Sequence, residues 1–311
     1  MRISRLALPA LAALLASCGD NADLPPLVGS TSAHHKLAEA KFGQAQAAEN
    51  AGKRAKAIKI YDELADSMPI AEKAPDARFR QGELLEQEGK IREAFDAYQE
   101  FISRYNSSNL YEKALNRQAS MAQSAADGQV KTSFLGLKSS ISDDKITEML
   151  SKVRQNAPRS PQASKAQFTI GQVWESRGNS SGAAKAITAY REVVLEFPDS
   201  KEAPEAQFSI GKVLMDEARR GNQDQANMER AREAFQDYLR QYPGHSKNGE
   251  ARQLVSNLGG QDIQQSFNVA QFYERKGDTG SARFYYEEVI RKTKSGDLHD
   301  KAKARLAALG N

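Results

Sequence analysis

A phrase of nine residues recurs three times along the chain and constrains its fold more than any other feature. The copies run from 74 to 82 (APDARFRQG), from 163 to 171 (ASKAQFTIG) and from 203 to 211 (APEAQFSIG). Each is followed by a glycine and then by an alanine and an aromatic residue four positions apart, as at Gly89, Ala94 and Tyr98. A period near 34 residues is typical of stacked helix–turn–helix units, each of which buries its apolar face only against its neighbours.

The same register can be followed through six units. A small residue marks the expected close crossing of the two helices in each unit: Ala45, Gly82, Ala119, Gly171, Gly211 and Ala270. We expect its partner to be the alanine of the second helix: Ala57, Ala94, Ala186, Ala231 or Ala282. The aromatic residue four positions after that alanine should fill the layer to the next unit. The third unit is the weakest, because a polar insertion at 128–140 separates its helices.

Local signals mark the ends of these helices. Prolines are expected to close the second helices at matching places: Pro69, Pro158, Pro198 and Pro243. Ser160, before Pro161, and Ser200 are expected to cap the helices that follow. The sequence therefore predicts an all-α solenoid of about six antiparallel helix pairs. Residues 251–259 resemble the terminal segment 302–310, so we expect a main array over 36–259 and a C-terminal helix pair with a capping helix over 260–311.

The periodicity resembles that of tetratricopeptide repeats, and this resemblance implies a superhelix that binds protein segments along a groove built by the first helices. By their distance from the small residue, the groove positions carried over from the family are Phe42, Gln46, Phe79, Glu83, Phe168, Gln172, Phe208, Lys212, Phe267 and Gln271. A further position, four residues after the small one, holds Glu49, Glu86, Glu175 or Met215. Two interpretations of the phenylalanine row stay open: apolar pockets for a peptide, or core between repeats.

The N-terminus predicts a secretion signal. Arg2 and Arg5 precede an apolar stretch of 11 residues, too short for a membrane span of about 20. The residues before Cys18 resemble a bacterial lipobox, which implies that a signal peptide over 1–17 is removed and that Cys18 is acylated. The alternative is an ordinary signal peptide that leaves a free thiol. We expect 18–35 to be a lipid anchor and flexible tether, and Gly19 after the cysteine is similar to the pattern of outer-membrane lipoproteins.

Few residues suggest chemistry of their own. Ser142 and Lys145 match a Ser-x-x-Lys catalytic pattern without its partner motifs, so Ser142 is better interpreted as a helix cap. The neighbouring His34 and His35 could bind a metal, but solvated side chains are the more usual outcome. A single cysteine leaves no zinc site built on thiolates. The net charge of +4 predicts no nucleic-acid partner. We therefore expect no enzyme activity, cofactor, metal or small-molecule substrate.

A lipobox, a short tether and repeats of this type together resemble the BamD/ComL family of outer-membrane assembly lipoproteins. The best matches lie at 77–105, 203–243 and 269–277, within a resemblance that covers 36–294. It implies a lipid-anchored scaffold on the periplasmic face of the outer membrane, with a BamA-like barrel protein and unfolded outer-membrane proteins as partners. The sixth unit and the insertion at 128–140 depart from that family. The alternative is an adaptor of another envelope system, either pilotin-like or linked to peptidoglycan.

Overall fold

The computed structural model describes residues 27–128, 131–134, 137–221 and 224–310. Over these ranges the chain forms thirteen helices and one two-stranded hairpin, which confirms the all-α prediction. The helices are α1 Leu27–Asn50, α2 Arg54–Ser67, α3 Ala74–Gln87, α4 Ile91–Arg104, α5 Tyr111–Ala126, α6 Asp143–Asn156, α7 Pro161–Glu175, α8 Ser180–Glu196, α9 Glu202–Arg220, α10 Gln225–Gln241, α11 Asn248–Arg275, α12 Thr279–Lys292 and α13 Asp297–Ala308. None of these helices is long and apolar enough to span a membrane.

The first twelve helices form six consecutive pairs, and α13 follows the last pair. By its internal contacts the chain divides into two compact units, Met1–Ala77 and Arg78–Asn311. The first unit contains α1 and α2, which pack on each other. In the second unit each helix from α4 to α13 packs on the next one along the chain. This arrangement of neighbours is the one that tandem helical repeats require.

Glycines and prolines lie at the ends of the helices, as predicted. The turn that follows the first helix contains a glycine with positive φ in five pairs: Gly52 (71°), Gly89 (72°), Gly128 (69°), Gly178 (61°) and Gly277 (79°). A side chain at these positions would strain the backbone, which is why glycine ends the first helix. Each closing proline lies two residues after the last residue of α2, α6, α8 or α10.

Two of the three expected serine caps form. The Ser160 and Ser142 hydroxyl groups accept hydrogen bonds from the backbone N–H groups of Ala163 and Lys145, at 3.3 and 3.4 Å. The prediction for Ser200 is wrong, because α9 begins two residues later, after Lys201, which forms no side-chain cap. Lys145 also forms an ion pair with Glu148 at 3.0 Å, so the Ser-x-x-Lys pattern is a capped helix start.

The insertion in the third pair contains the hairpin. Strands β1 (Lys131–Phe134) and β2 (Leu137–Ser140) are antiparallel, with Lys131 opposite Ser140 and Phe134 opposite Leu137. The insertion thus adds a hairpin between the glycine turn at Gly128 and the start of α6.

Two expected boundaries differ from the structure. Helix α1 begins at Leu27, so the segment 27–35 is helical and not a tether; residues 1–26, including Cys18, lie outside the described residues. Helix α11 runs without interruption from Asn248 to Arg275, across the expected division between 259 and 260. Gly259 and Gly260 lie inside this helix, where each costs up to about 1 kcal/mol relative to alanine but does not end it.

In three of the pairs an aromatic ring lies against a glycine where the two helices cross. A Cβ atom on Gly82 would lie 2.8 Å from the Tyr98 ring, and one on Gly211 would lie 2.6 Å from the Phe235 ring. Gly171 meets Tyr190 in the same way. The predicted partner of the small residue is the alanine of the second helix, but at these three glycines the nearest atoms belong to the aromatic ring. The alanines Ala57, Ala94, Ala186, Ala231 and Ala282 are nonetheless fully buried.

Candidate protein-binding site

The phenylalanine row packs inside five of the six helix pairs. Each ring packs on the aromatic ring of its own second helix, with centroids 5.3 to 5.5 Å apart: Phe42 on Tyr61, Phe79 on Tyr98, Phe168 on Tyr190, Phe208 on Phe235 and Phe267 on Tyr286. Phe79, Phe208 and Phe267 are at most 5% exposed, whereas Phe42 and Phe168 are half-buried. The three buried rings belong to the core and leave no apolar pocket open to a peptide.

Lysines from the following segment cover several of these rings. The Lys113 ammonium lies 4.8 Å from the Phe79 centroid, and that of Lys247 lies 4.8 Å from the Phe208 centroid. Cation–π attraction of this kind contributes about 0.5–1 kcal/mol and also excludes water from the ring face. The lysine therefore closes the position at which the family's groove would expose an apolar contact.

The polar groove positions differ from pair to pair. Gln46 and Gln172 are exposed, while Lys212 and Gln271 are half-buried. Glu83 is surrounded by cations: Arg80 at 2.6 Å, Arg117 at 3.2 Å and Lys113 at 3.5 Å. At the second pair, ion pairs within the chain thus occupy the surface that was predicted to receive a partner.

The glutamates four residues after the small residue bind the tyrosine of their own pair. The tyrosine hydroxyl donates to the carboxylate at 3.3, 3.2, 2.5 and 2.7 Å in the pairs Tyr61–Glu49, Tyr98–Glu86, Tyr190–Glu175 and Tyr286–Glu274. In the fifth pair, apolar residues stand at both positions: Phe235 in place of the tyrosine and Met215 in place of the glutamate. The donor and the acceptor are thus absent together. These glutamates therefore form hydrogen bonds within their own helix pair at the positions predicted to contact a protein partner.

The pKa shifts of the tyrosine and the glutamate both favour these hydrogen bonds at neutral pH. Burial and the hydrogen bond to Glu274 raise the pKa of Tyr286 to about 12. The same hydrogen bond, together with Arg305, lowers the pKa of Glu274 below its usual range. Burial and Glu175 likewise raise the pKa of Tyr190. The phenol is thus a neutral donor and the carboxylate an ionised acceptor, which is the stronger class of hydrogen bond.

The substitution Tyr190→Phe tests this pairing. It leaves the half-buried Glu175 carboxylate without its phenolic donor and is expected to lower the free energy of unfolding by about 1.5–3 kcal/mol. The double variant Tyr190→Phe with Glu175→Met copies the fifth pair and should recover most of that loss. Urea unfolding of the full chain, followed by far-UV circular dichroism, measures both. A double variant less stable than Tyr190→Phe alone would contradict the account.

The third pair lacks both rings of the pattern. Asn116 stands where the other first helices carry phenylalanine, three residues before the small Ala119. Leu150 lies seven residues into α6, the place of the tyrosine in α2, α4 and α12. A cavity of about 250 Å³ opens here between α5, α6 and α7. Its lining residues are Ala119, Ser120, Gln123, Ser124, Leu150, Val153, Gln162, Lys165 and Ala166.

The lining of this cavity, called here the third-repeat cavity, is amphipathic. Leu150, Val153 and Ala166 are buried and form its apolar part. The hydroxyl, amide and ammonium groups of the remaining side chains are half-buried or exposed. Gln162 donates to Asn116 at 3.0 Å, and Thr169 donates to Gln123 at 3.1 Å, which fixes two of the amides. Such a lining can bury one apolar side chain of an extended segment and form hydrogen bonds with the segment's backbone.

Sequence reasoning placed the groove elsewhere and missed this cavity. The signal was present, since Asn116 breaks the phenylalanine row at a unit already recognised as the weakest. What the pattern did not show is that lysines and ion pairs close the neighbouring positions, because those contacts join segments about 30 to 40 residues apart.

Metal-binding side chains do not converge on one site in the part of the chain that the structure describes. There, no three His, Cys, Asp or Glu side chains come close enough together to hold a metal ion. The His35 imidazole accepts a hydrogen bond from the backbone N–H of Glu72 at 3.1 Å, a structural contact within the first unit.

Helix pairs with this spacing, ring packing and glycine turn define a tetratricopeptide-type protein-interaction scaffold. Three family models described as tetratricopeptide repeats match residues 42–109, 205–245 and 266–291. A comparison with curated proteins found no match. The matched segments include the first, second, fifth and sixth helix pairs in whole or in part, and the third-repeat cavity lies outside them.

Solved structures of repeat proteins are similar to the chain at low identity. A tetratricopeptide repeat protein from Parabacteroides merdae is 14% identical, with coverage of 89% of this chain and 100% of the other and a TM-score of 0.32. PilF of Pseudomonas aeruginosa is 12% identical over 88% and 99%, with a TM-score of 0.30. The C-terminal part of a repeat protein from Cytophaga hutchinsonii is 12% identical over 88% and 93%, with a TM-score of 0.36.

Proposed function

We propose that this scaffold is a lipoprotein of the bacterial outer membrane that binds unfolded barrel proteins during their assembly, as the BamD/ComL resemblance implies. Cys18 would hold the chain at the periplasmic face through its acyl groups, and the third-repeat cavity would bind an extended client segment. The third-repeat cavity carries the proposal, because its lining suits an apolar side chain on an exposed backbone. Barrel strands alternate apolar and polar residues, so an unfolded strand supplies such side chains at every second position.

A second surface supports a docking role for the last pair. Four aromatic side chains on α11 and α12, called here the C-terminal aromatic patch, lie in a row: Phe272, Tyr273, Tyr285 and Phe284. Tyr273 and Tyr285 stack at 5.7 Å, and each contacts the adjoining phenylalanine edge-on at 5.4 or 5.2 Å. Phe272 and Phe284 are 47% and 56% exposed. Exposed aromatic clusters are typical of protein interfaces, and we assign this one to the BamA-like partner.

The patch can be tested without removing part of the fold. Deleting 260–311 would cut α11 in its middle, whereas Phe272→Ala with Phe284→Ala removes only half-exposed rings. We expect the double variant to keep its stability within about 1 kcal/mol and to lose on the order of tenfold or more in affinity for the BamA-like partner. The measurement is purification of the full-length protein from its own cells in mild detergent, with quantitative mass spectrometry.

The matched control is Ile70→Ala, which removes an exposed apolar side chain, 74% exposed, from the first unit. This variant should recover the partner in the amount found with the unchanged protein. Equal recovery of a BamA-like protein by the double variant would overturn the assignment of the patch. Recovery of a secretin, a pilus component or a cell-wall enzyme in its place would favour an adaptor of another envelope system.

A further inference from the structure

A cavity of about 620 Å³ lies between two loops of the second unit, on a different set of residues from the third-repeat cavity. One loop joins α6 to α7 and the other joins α8 to α9. Three prolines and a phenylalanine supply apolar walls: Pro158, Pro161, Phe197 and Pro198. Walls of this kind suit the aliphatic part of a long side chain.

The cavity also contains a buried carboxylate. Glu202 is 6% exposed, and one of its oxygens accepts a hydrogen bond from the Ser164 hydroxyl at 3.0 Å. The nearest cation paired with it is Lys201, at 3.9 Å, on a side chain that is 84% exposed. An ionised carboxylate has about four acceptor positions, and a buried one needs cationic or hydrogen-bonding partners. The contacts within the chain thus use only part of what Glu202 can accept.

A second polar group in the same lining is unsatisfied. The Ser200 hydroxyl oxygen is buried and has no hydrogen-bond partner among the described residues. It lines the cavity together with Glu202, two positions further along the chain. Leaving a buried hydroxyl without a partner is unfavourable, and a ligand that donates to it would remove that cost.

Two of the three other junctions of the chain have a lysine at this place, and the third, after Pro158, has Gln162. The fourth residue after the closing proline is Lys73 after Pro69 and Lys247 after Pro243. The Lys73 ammonium lies 5.6 Å from the centroid of the Phe42 ring, and the Lys247 ammonium lies 4.8 Å from that of Phe208. At the junction after Pro198 the corresponding residue is Glu202, so a built-in cation is replaced by an acid.

These observations select a cationic ligand with a long apolar stem. Three acids (Glu196, Asp199, Glu202) and two bases (Arg159, Lys201) line the cavity, a balance of −1. A metal ion does not fit, since no group of three ligand side chains converges among the described residues. A guanidinium group carries five N–H donors in a planar fork, enough to reach a carboxylate and a hydroxyl together.

We propose that this cavity receives an arginine side chain from an extended segment of a protein partner. The guanidinium donates to the Glu202 carboxylate and the Ser200 hydroxyl, and the methylene stem lies against the prolines. The inference rests on the proposed role as a protein-binding scaffold. It does not depend on the membrane anchor or on the identity of the client, so the two proposals fail separately.

The probe is N-acetyl-arginine methylamide, titrated into the full-length protein in mild detergent and followed by saturation-transfer difference NMR of the probe. We expect saturable binding in the millimolar range. The citrulline analogue, which has nearly the same shape but no charge, should bind at least about tenfold more weakly. Glu202→Gln should reduce arginine binding by a similar factor, and Ser200→Ala by a smaller one.

The matched control is Glu205→Gln on the same helix, because that carboxylate is already paired with Lys247 at 2.5 Å. It should leave probe binding unchanged. Far-UV circular dichroism establishes that each variant is folded, and Ser200→Ala provides the test if Glu202→Gln is not. No saturable binding, equal binding of citrulline, or binding that both cavity variants retain would overturn the proposal.

Discussion

A leucine at position 211 is expected to destabilise the fifth helix pair by about 3 kcal/mol, at the upper end of what overpacking costs. The reason is local, since even a Cβ atom there would lie 2.6 Å from the Phe235 ring. That ring is fully buried and packs on Phe208 at 5.3 Å, so it cannot move aside. Urea unfolding of the Gly211→Leu chain, followed by far-UV circular dichroism, should show a lower midpoint.

The same change elsewhere provides the control. Gly260 lies inside α11 and is exposed, and a Cβ atom added to it would meet no atom within 4 Å apart from the adjoining backbone of its own helix. Gly260→Leu should therefore raise the stability of α11 by up to about 1 kcal/mol through helix propensity alone. Opposite signs at the two glycines are the expected result. Equal destabilisation at both would show that the ring against the small residue does not set the crossing of the pair.

The second large effect is expected at Cys18, which lies outside the described residues. It is the only cysteine of the chain, so Cys18→Ser removes the only thiol that could be acylated. We expect complete loss of labelling by an alkyne-tagged palmitate in cells and a shift of the protein from the membrane fraction to the soluble fraction. The physical basis is the burial of acyl chains, about 0.8 kcal/mol for each CH₂ group.

Ser17→Ala is the matched control for the anchor. It keeps a small residue before the cysteine and should preserve both labelling and membrane association. A Cys18→Ser protein that stays in the membrane fraction, or an unchanged protein that takes up no label, would contradict the lipobox interpretation. The second outcome would favour an ordinary signal peptide with a free thiol after it.

The sequence predicted those features of the fold that depend on local geometry. Constraints within one helix pair determine the glycine turns, the closing prolines and the small residue at the crossing. The structure contains these features. The division at 259–260, predicted from the likeness of 251–259 to 302–310, was not correct, since α11 runs through it. Two adjacent glycines weaken a helix without ending it when its neighbours continue to pack. The start of α1 at Leu27 was missed for a related reason, since polar composition alone does not exclude a helix.

The candidate site was harder to predict because it depends on contacts between neighbouring helix pairs. Phe79 and Phe168 occupy the same position of the repeat, yet Lys113 covers the first ring and the second stays half-buried. Glu86 accepts a hydrogen bond from Tyr98 of its own pair. Arg117, which belongs to the next pair, also forms ion pairs with Glu86 at 2.9 Å and with Glu83 at 3.2 Å. The resemblance to a family supplied positions for a groove but not the side chains that close it.

The third-repeat cavity as the client-binding site is the central claim, and photo-crosslinking in the cell tests it most directly. A benzophenone amino acid replaces Ser120, which lines the cavity and is exposed, and for comparison Gln236, which is exposed on α10. The full-length protein is then irradiated in its own cells and its crosslinked partners are identified by mass spectrometry. We expect segments of outer-membrane barrel proteins at position 120 and none at position 236. Capture of the same proteins at both positions, or of no barrel protein at position 120, would contradict the account.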